Sequence, residues 1–353
     1  MAKLPSKTVN EILRDLSIRH SVFLEQYSNG EVRAVIEYLN TQVEPDILAR
    51  ITRYAGKEFT QKRLMQVQKE IRKVIEDGYA ELYRRQQDNL VSLGKVEAKW
   101  QTASLSQTVP FAVSLTAPSV AVIRDMIRTR PIDGVLLKDW FEKLPADTVY
   151  RINRQITLGV IEGEGIDEIV RRIKGTRAAQ YSDGILNTSR SDLRYMVRTA
   201  VGEVSHNVRR ETYQENADII KTVSWVATLD TRTCLFCIEL EKNGPYAIDE
   251  VPEKPHGGCR CSTAPNTKSW KELGIDAKDA PPSTRASMNG QVAMPVDIED
   301  WFADLSATDL RETFGKQKAE WFKEGKIEIA DMVDDQNHIR TLEQLETLIE
   351  KRN

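Results

Sequence analysis

Cysteine and histidine are both scarce in this sequence, with four residues of each among 353. So few cysteines exclude a disulfide-rich extracellular scaffold. No apolar run reaches the 18 residues of a transmembrane helix, and the start MAKLPSKTVNEIL lacks the apolar segment of a secretory signal. We therefore expect synthesis in the cytoplasm, where metal thiolates and free thiols are more common than disulfides.

Motifs of familiar catalytic sites are also missing. The sequence contains no H-E-x-x-H zinc-protease motif and no G-x-x-x-x-G-K-[ST] phosphate-binding loop. None of the four histidines begins the His-x-Glu pattern of the zinc deaminases. We therefore predict that the chain is not an enzyme.

Neither sign of charge is in large excess, because 50 basic residues oppose 53 acidic ones and the formal net charge is −3. Bulk charge therefore gives no argument for nucleic-acid binding. The distribution is uneven, since residues 296–353 hold 8 basic and 15 acidic side chains. Such an acidic tail suits a basic partner, or simply adds solubility.

Hydrophobic periodicity and breaker residues divide the chain into five segments. We predict an α+β fold that is mainly α, in which a long helical N-terminal region precedes a smaller α+β lobe with a cysteine-rich, zinc-stapled loop. The segments are a helical N-terminal region (1–100), a linker or extended arm (101–120), further helices (121–222), a strand with the cysteine-rich segment (223–295), and an acidic α/β extension (296–353).

Local signals predict where several of these elements begin and end. Thr8-Val-Asn-Glu11 fits a capping box at the start of the first helix, and the residues 341–344 fit a similar cap on the last helix. The run SNG at 28–30 predicts a helix break. The alternating stretch KIEIADMV at 326–333 predicts a short strand.

All four cysteines fall within 28 consecutive positions, as the C-x2-C pair Cys234 and Cys237 and the C-x-C pair Cys259 and Cys261. The first pair follows a predicted strand, KTVSWVATLD, and the second follows a loop rich in proline and glycine. Two such pairs brought together offer four soft ligands, which suit tetrahedral Zn²⁺. We predict a structural zinc with His256 as a substitute ligand, because four protein ligands leave no open position for catalysis.

Two other states of the cysteines remain open alternatives. They are reduced thiols that pack a small, loop-rich lobe, and a disulfide. Arg232 and Arg260 alternate with the cysteines in sequence, and their positive charge would favour the thiolate form that a metal requires.

Arginines recur along the helix predicted to start near residue 189. Arg190, Arg194 and Arg198 lie four residues apart and away from its apolar stripe. Together with Arg209 and Arg210, they are candidates for a basic surface that binds the phosphates of DNA. The alternative, which we favour, is an ordinary solvated face on which these side chains pair with nearby carboxylates.

The cysteine segment resembles the signature of the Mu F-like phage head morphogenesis proteins, which are also called minor head or minor capsid proteins. The resemblance is carried by the run from Trp225 through Asp230-Thr-Arg-Thr-Cys234-x-x-Cys237 to Pro255-His256-x-x-Cys259-Arg260-Cys261. The preceding helix, YMVRTAVGEVSHNVRRETY, is also similar, and the resemblance covers about residues 120–350. The chain departs from the pattern at Phe314-Gly315, where Leu-Gly is usual.

The resemblance implies a virion component that is built into the procapsid beside the portal protein. It implies roles in head assembly and in the packaging or delivery of DNA, with structural roles for Trp225, Asp230 and Arg260 and no catalytic residues. The expected partners are the portal protein, then scaffolding or major capsid protein and packaged DNA, with no membrane during assembly and no small-molecule substrate. The expected location is the capsid interior near the portal vertex, after assembly in the host cytoplasm.

Two further functions remain as alternatives. One is a zinc-containing nucleic-acid-binding protein that acts in the host cytoplasm. The other, less favoured, is an enzyme or toxin module at the C-terminus.

Many relatives lack the first two cysteines, so the resemblance alone does not establish a metal.

Overall fold

The chain is mainly helical, with two small antiparallel sheets. The computed structural model describes residues 8–55, 57, 60–108, 114–229, 231, 233–269, 272–273, 302–333 and 339–352, and the backbone of 284–287 and 290–293. The helices are α1 (Val9–Tyr38), α2 (Glu44–Thr52), α3 (Gln61–Thr108), α4 (Val120–Thr129), α5 (Leu137–Ile161), α6 (Ile166–Lys174), α7 (Leu186–Glu215), α8 (Leu235–Asn243), α9 (Ala307–Phe314), α10 (Lys316–Lys323) and α11 (Leu342–Arg352). The strands β1 (Ile220–Val226) and β2 (Ser262–Thr267) form one sheet, and β3 (Thr284–Ser287) and β4 (Gly290–Ala293) form the other.

This architecture confirms the predicted α+β, mainly α fold. The predicted capping box is present, because Thr8 Oγ1 accepts the backbone N–H of Glu11 while the Glu11 carboxylate accepts that of Thr8. The predicted cap on the last helix is present as well. None of the helices in the described ranges is long and apolar enough to span a bilayer.

Helices α1 to α7 share one apolar core that runs from Val32 to Val208. Ile71 and Ile75 on α3 are fully buried, and so are Ile156 on α5 and Val197 on α7. Amphipathic helices of this kind are stabilised chiefly by burying their apolar faces against one another. The segments predicted as 1–100 and 121–222 therefore pack into a single helical body.

The predicted helix break at residues 28–30 is wrong, because α1 continues to Tyr38. Val32 and Val35 lie beyond the predicted break and are buried in the shared core. A glycine inside a helix costs only about 1 kcal/mol relative to alanine. Burial of two valines outweighs that cost.

The predicted linker also needs correction over residues 101–108, which form the last two turns of α3. Leu105 is fully buried and packs with Leu13 of α1 and Tyr213 of α7 in a second apolar cluster. The polar, Ser- and Thr-rich composition of residues 101–108 gave no indication that Leu105 would be buried in an apolar cluster. Residues 114–119 have no helical or strand structure, and α4 begins at Val120.

Two glycines inside helices make a matched pair for testing the helical packing. A Cβ atom on Gly94 of α3 would lie 2.6 Å from Cγ2 of Ile123 on α4, whereas a Cβ on Gly30 of α1 would meet nothing within 4 Å. We expect Gly94→Ala to lower the free energy of unfolding by about 1–3 kcal/mol through overpacking. Gly30→Ala should instead raise it by about 0.5–1 kcal/mol through helix propensity. Chemical denaturation of both variants measures the difference, and stabilisation by Gly94→Ala would contradict the close packing of α3 on α4.

The C-terminal part is organised around the β1–β2 sheet and an apolar cluster of its own. Trp225 of β1 pairs with Thr263 of β2 and is almost fully buried. The cluster joins this tryptophan and three of the cysteines to apolar residues of the C-terminal region, such as Phe302 and Trp321. The acidic extension predicted as 296–353 therefore shares a core with the cysteine segment.

The strand predicted over residues 326–333 is wrong, because residues 330–332 form a turn of 3-10 helix. A carboxylate oxygen of Asp331 accepts the backbone N–H of Glu328 at 2.8 Å, which closes the chain into a turn. Ile327, Ile329 and Met332 are still buried, although the backbone is not extended. Such a short apolar pattern fits a strand and a turn equally well.

Candidate metal centre

The first cysteine pair lies at the start of helix α8. Cys234 is its N-cap residue, and the backbone N–H of Cys237 points to the Cys234 Sγ at 3.4 Å. A side chain at the N-cap faces the first turn, so the C-x2-C spacing turns both sulfur atoms to one side. The free N–H groups of the helix start also favour negative charge on a thiolate there.

The second pair lies immediately before β2. Cys259 and Cys261 are two residues apart, and their Sγ atoms lie within 4.8 Å of each other. Gly258 precedes them with φ +69°, a backbone conformation that favours glycine, and so makes the turn into the strand. The backbone N–H of Thr228, just after β1, points to the Cys261 Sγ at 3.5 Å.

The fold brings the two pairs together. The Sγ atoms of Cys237 and Cys259 are 3.4 Å apart, and Cys261 lies within 4.8 Å of both. Cys237 also forms a second group with Cys234 and His256, again with all ligand atoms within 4.8 Å. Cys237 thus links two overlapping triads, and the cluster offers five donor atoms in all.

His256 is oriented as a ligand would be. Its Nε2 is 3.1 Å from the Cys234 Sγ, and its Nδ1 is 2.9 Å from the carbonyl oxygen of Gly257. Donation from Nδ1–H to that carbonyl directs Nε2 toward the sulfur atoms, where it could coordinate an ion once its proton is displaced. A backbone acceptor of this kind usually holds a metal-bound histidine in place.

The donor set fits a tetrahedral zinc ion. Zinc–sulfur bonds of about 2.3 Å place the sulfur atoms of a tetrahedral site about 3.8 Å apart, close to the Cys237–Cys259 separation. Soft thiolates with one imidazole are the ligands that zinc prefers. No disulfide joins the four cysteines, all of which the structure describes. A metal centre can therefore be assembled here.

Two of the four thiols, those of Cys234 and Cys259, favour the thiolate form even without an ion. A hydrogen bond from the Cys237 thiol, together with the nearby imidazole, lowers the pKa of Cys234 to about 5. Hydrogen bonding to Cys237 also lowers the pKa of Cys259, while the pKa of Cys237, which donates to its neighbours, is raised. Contacts with Cys234 and Cys259 raise the pKa of His256 to about 11. Binding a metal would replace these shared protons.

Side chains of α7 hold the loop that carries the second pair. Thr199 Oγ1 accepts the backbone N–H of Gly258 at 3.1 Å, and a Cβ on Gly257 would lie only 2.1 Å from the Tyr195 hydroxyl. About two turns after Thr199, the Nε2 of His206 donates to the carbonyl of Pro252 at 2.9 Å. Burial lowers the pKa of His206 to about 3, so its ring is neutral.

A buried polar network connects the helices to the strand that follows the cysteines, and the sequence analysis did not predict it. Glu97 of α3 has no exposed surface, and its carboxylate accepts from Arg209 Nε at 2.6 Å. The same carboxylate lies 2.8 Å from His20 Nε2 and 3.0 Å from Ser205 Oγ. Arg209 also donates to the side chain of Ser262 in β2. The network thus joins α1, α3 and α7 to the strand that follows the cysteines.

The five arginines predicted to contact phosphates divide into two groups. Arg190, Arg209 and Arg210 each donate to a carboxylate, and the first two are buried. Arg198 is exposed and Arg194 is half-buried, so these two are open to solvent. Arg190 pairs with Glu44, Arg209 with Glu97 and Arg210 with Glu253. The alternative of pairing with carboxylates is thus realised for three of the five.

The motif residues that were predicted to have structural roles are Trp225, Asp230 and Arg260. Trp225 packs edge-on against His206 with 5.8 Å between ring centroids, which suits a structural role. Arg260 lies half-buried between two cysteines. Asp230 and Arg232 lie outside the described residues.

Comparison with known families matches residues 150–264 to the family described as Phage Mu protein F like protein. The chain carries a Mu F-like segment. The match spans α7, β1, the first half of β2 and all five candidate metal ligands, and it confirms the resemblance over these residues. It supports an assignment to phage head morphogenesis. No curated protein and no solved structure matches the chain significantly.

Proposed function

We propose that this chain is a minor head protein that binds the portal protein inside the procapsid and stays in the virion. The observation that carries the proposal is the Mu F-like match over residues 150–264, the segment that contains the cysteine cluster. Its role is assembly rather than catalysis, with the portal as first partner and scaffolding or major capsid protein as further ones. A role in packaging or delivering DNA is part of the same proposal.

The metal in this proposal is a structural zinc. Cys237, Cys259 and Cys261 are buried together and supply three ligands, and Cys234 or His256 supplies the fourth. Four protein ligands close the coordination sphere, so the ion would hold the lobe together without activating a water molecule.

Co-purification tests the partner. Portal oligomers isolated from nuclease-treated, phage-producing cells should carry the full-length chain. The variant with both Arg194→Gln and Arg198→Gln should bind equally well, because these two solvent-accessible arginines serve phosphate contacts in the alternative function. Loss of the chain on nuclease treatment, or in that variant, would favour the host-cytoplasm nucleic-acid binder.

Protease protection of purified particles tests the location. A chain inside the capsid should survive added protease in intact particles and be cut once the particles are opened. Full-length protein is required in both experiments, because residues 32–98 share a core with α4 to α7 and cannot be deleted without exposing it. Digestion in intact particles, or absence from them, would contradict the proposal.

A further inference from the structure

An open groove of about 440 Å³ lies between α1 and α7 on the surface of the helical body. Val32 and Ile36 of α1 supply apolar side chains to it, and Arg33 of α1 and Arg194 of α7 supply two cations. Glu37 is the one carboxylate among the described residues that line it, so the groove carries a net positive charge. An apolar groove with two arginines suits a segment that combines apolar side chains with carboxylates.

The two arginines of the groove are not neutralised within the described part of the chain. Arg33 is exposed and Arg194 is half-buried, and no carboxylate in the described ranges pairs with either of them. Arg198, one turn after Arg194 on α7, donates to the uncharged side chain of Asn29 at 3.0 Å. Its charge therefore adds to the positive potential beside the groove, which is available to a partner.

Helix α11 presents a surface of the opposite charge. Leu342, Glu343, Glu346 and Glu350 are exposed, and the helical repeat places them within one arc of about 100°. Leu342 is 44% exposed, and Ile339, three residues earlier, is 47% exposed. The three carboxylates pair with no cation in the described ranges. This face of α11 thus combines exposed apolar side chains with unpaired negative charge.

The rest of α11 is held in its own lobe, away from the groove. Leu345 has no exposed surface and packs in the apolar cluster that includes Phe302 and Trp321. Arg352 donates two bonds to the Asp331 carboxylate, both at 2.6 Å. None of the described residues that line the groove belongs to this lobe. The exposed face of α11 is therefore left for another molecule.

We propose that copies of this chain associate head to tail, with α11 of one copy seated in the groove between α1 and α7 of the next. The exposed leucine of α11 would pack on the apolar residues of the groove, while its carboxylates face the two arginines. Because the groove and the helix are different surfaces, such a contact closes into a ring or extends into a filament. A single short helix buries little area, so the association is weak and reversible. This contact between copies is independent of the proposed portal contact.

Sedimentation velocity of the full-length chain over a range of concentrations tests the association. We expect reversible growth beyond the monomer that weakens as salt is added, because salt screens exposed charges. Arg33→Glu should weaken the association about tenfold or more, because it places an anion opposite the carboxylates of α11. Arg72→Glu is the matched control, since Arg72 is exposed on α3 and lies outside the groove lining. It should associate as the unaltered chain does, and neither exposed substitution should change the melting temperature appreciably.

A mixture of two variants tests the head-to-tail geometry. Arg33→Glu leaves α11 intact, whereas the variant with both Glu343→Lys and Glu346→Lys leaves the groove intact. Each should stay largely monomeric at concentrations at which the unaltered chain associates. Their equimolar mixture should form dimers and nothing larger, because only one contact is possible for each pair.

Three results would overturn the proposal. The first is an unaltered chain that stays monomeric at every concentration, which would leave the groove to an acidic segment of another protein or to the phosphates of a nucleic acid. The second is an equal loss of association in Arg33→Glu and Arg72→Glu. The third is a mixture of the two variants that forms no dimer.

Discussion

Replacing Glu97 by glutamine is expected to lower the free energy of unfolding by about 3–5 kcal/mol, the usual cost of breaking a buried ion pair. Glutamine keeps the size of the side chain but removes the charge that faces Arg209, whose side chain is only 2% exposed. The guanidinium would then remain buried without a counter-charge. Chemical denaturation at neutral pH measures the loss.

A glutamate on the surface of the same helix is the matched control. Glu81 pairs with Arg84 and Arg85 in contact with solvent, where ion pairs contribute little. Glu81→Gln should therefore leave the stability nearly unchanged. An equally mild effect of Glu97→Gln would show that the buried network does not hold α3 to α7.

The pH dependence of the free energy of unfolding should also reveal the ion pair between Glu97 and Arg209. Burial alone would raise the pKa of Glu97, but Arg209, His20 and Gln101 outweigh it and lower the pKa from 4.5 to about 2. A carboxyl whose pKa is lower in the folded state contributes stability above its unfolded pKa and loses it as the pH falls. The stability gap between unaltered chain and Glu97→Gln should therefore narrow between pH 4.5 and about 2.

The second large effect is expected from Cys237→Ser, which should abolish stoichiometric metal binding. Cys237 belongs to both overlapping ligand triads, so its loss leaves neither complete. It is also buried in the apolar cluster that includes Phe302 and Trp321. Limited proteolysis should therefore cut the region after residue 229 first and leave the helical body of α1 to α7 intact.

Cys234→Ser is the natural comparison, because it alters the same turn of chain at a half-exposed position. The buried triad of Cys237, Cys259 and Cys261 would stay intact, and His256 would supply the fourth donor. We expect this variant to retain one metal per chain with weakened affinity, as measured by competition with a chelator. Equal loss of metal in both variants would contradict the assignment of His256 as a substitute ligand.

Sequence patterns located the cysteine cluster well because its spacing is local. C-x2-C at a helix start and C-x-C before a strand each set the direction of two side chains. The contact between the pairs depends on the antiparallel pairing of β1 with β2, and the strand preceding the first pair could be predicted from alternation. The sharing of Cys237 by the two groups of ligands could not be predicted from the sequence, since it depends on how α8 packs.

The buried network was missed for a different reason. Glu97 and Gln101 occupy positions of α3 that continue the buried stripe of Leu90, Leu93 and Leu105. Polar residues at apolar spacing are a signal of a buried polar pair. The partner of Glu97, Arg209, follows more than a hundred positions later, and no local pattern connects the two.

X-ray absorption at the zinc edge of the purified full-length chain tests the central claim most directly, namely that one ion joins the two cysteine pairs. We predict one zinc per chain, bound by three or four sulfur atoms at about 2.3 Å in tetrahedral geometry. A chain without stoichiometric zinc, or an ion surrounded only by oxygen and nitrogen, would contradict it.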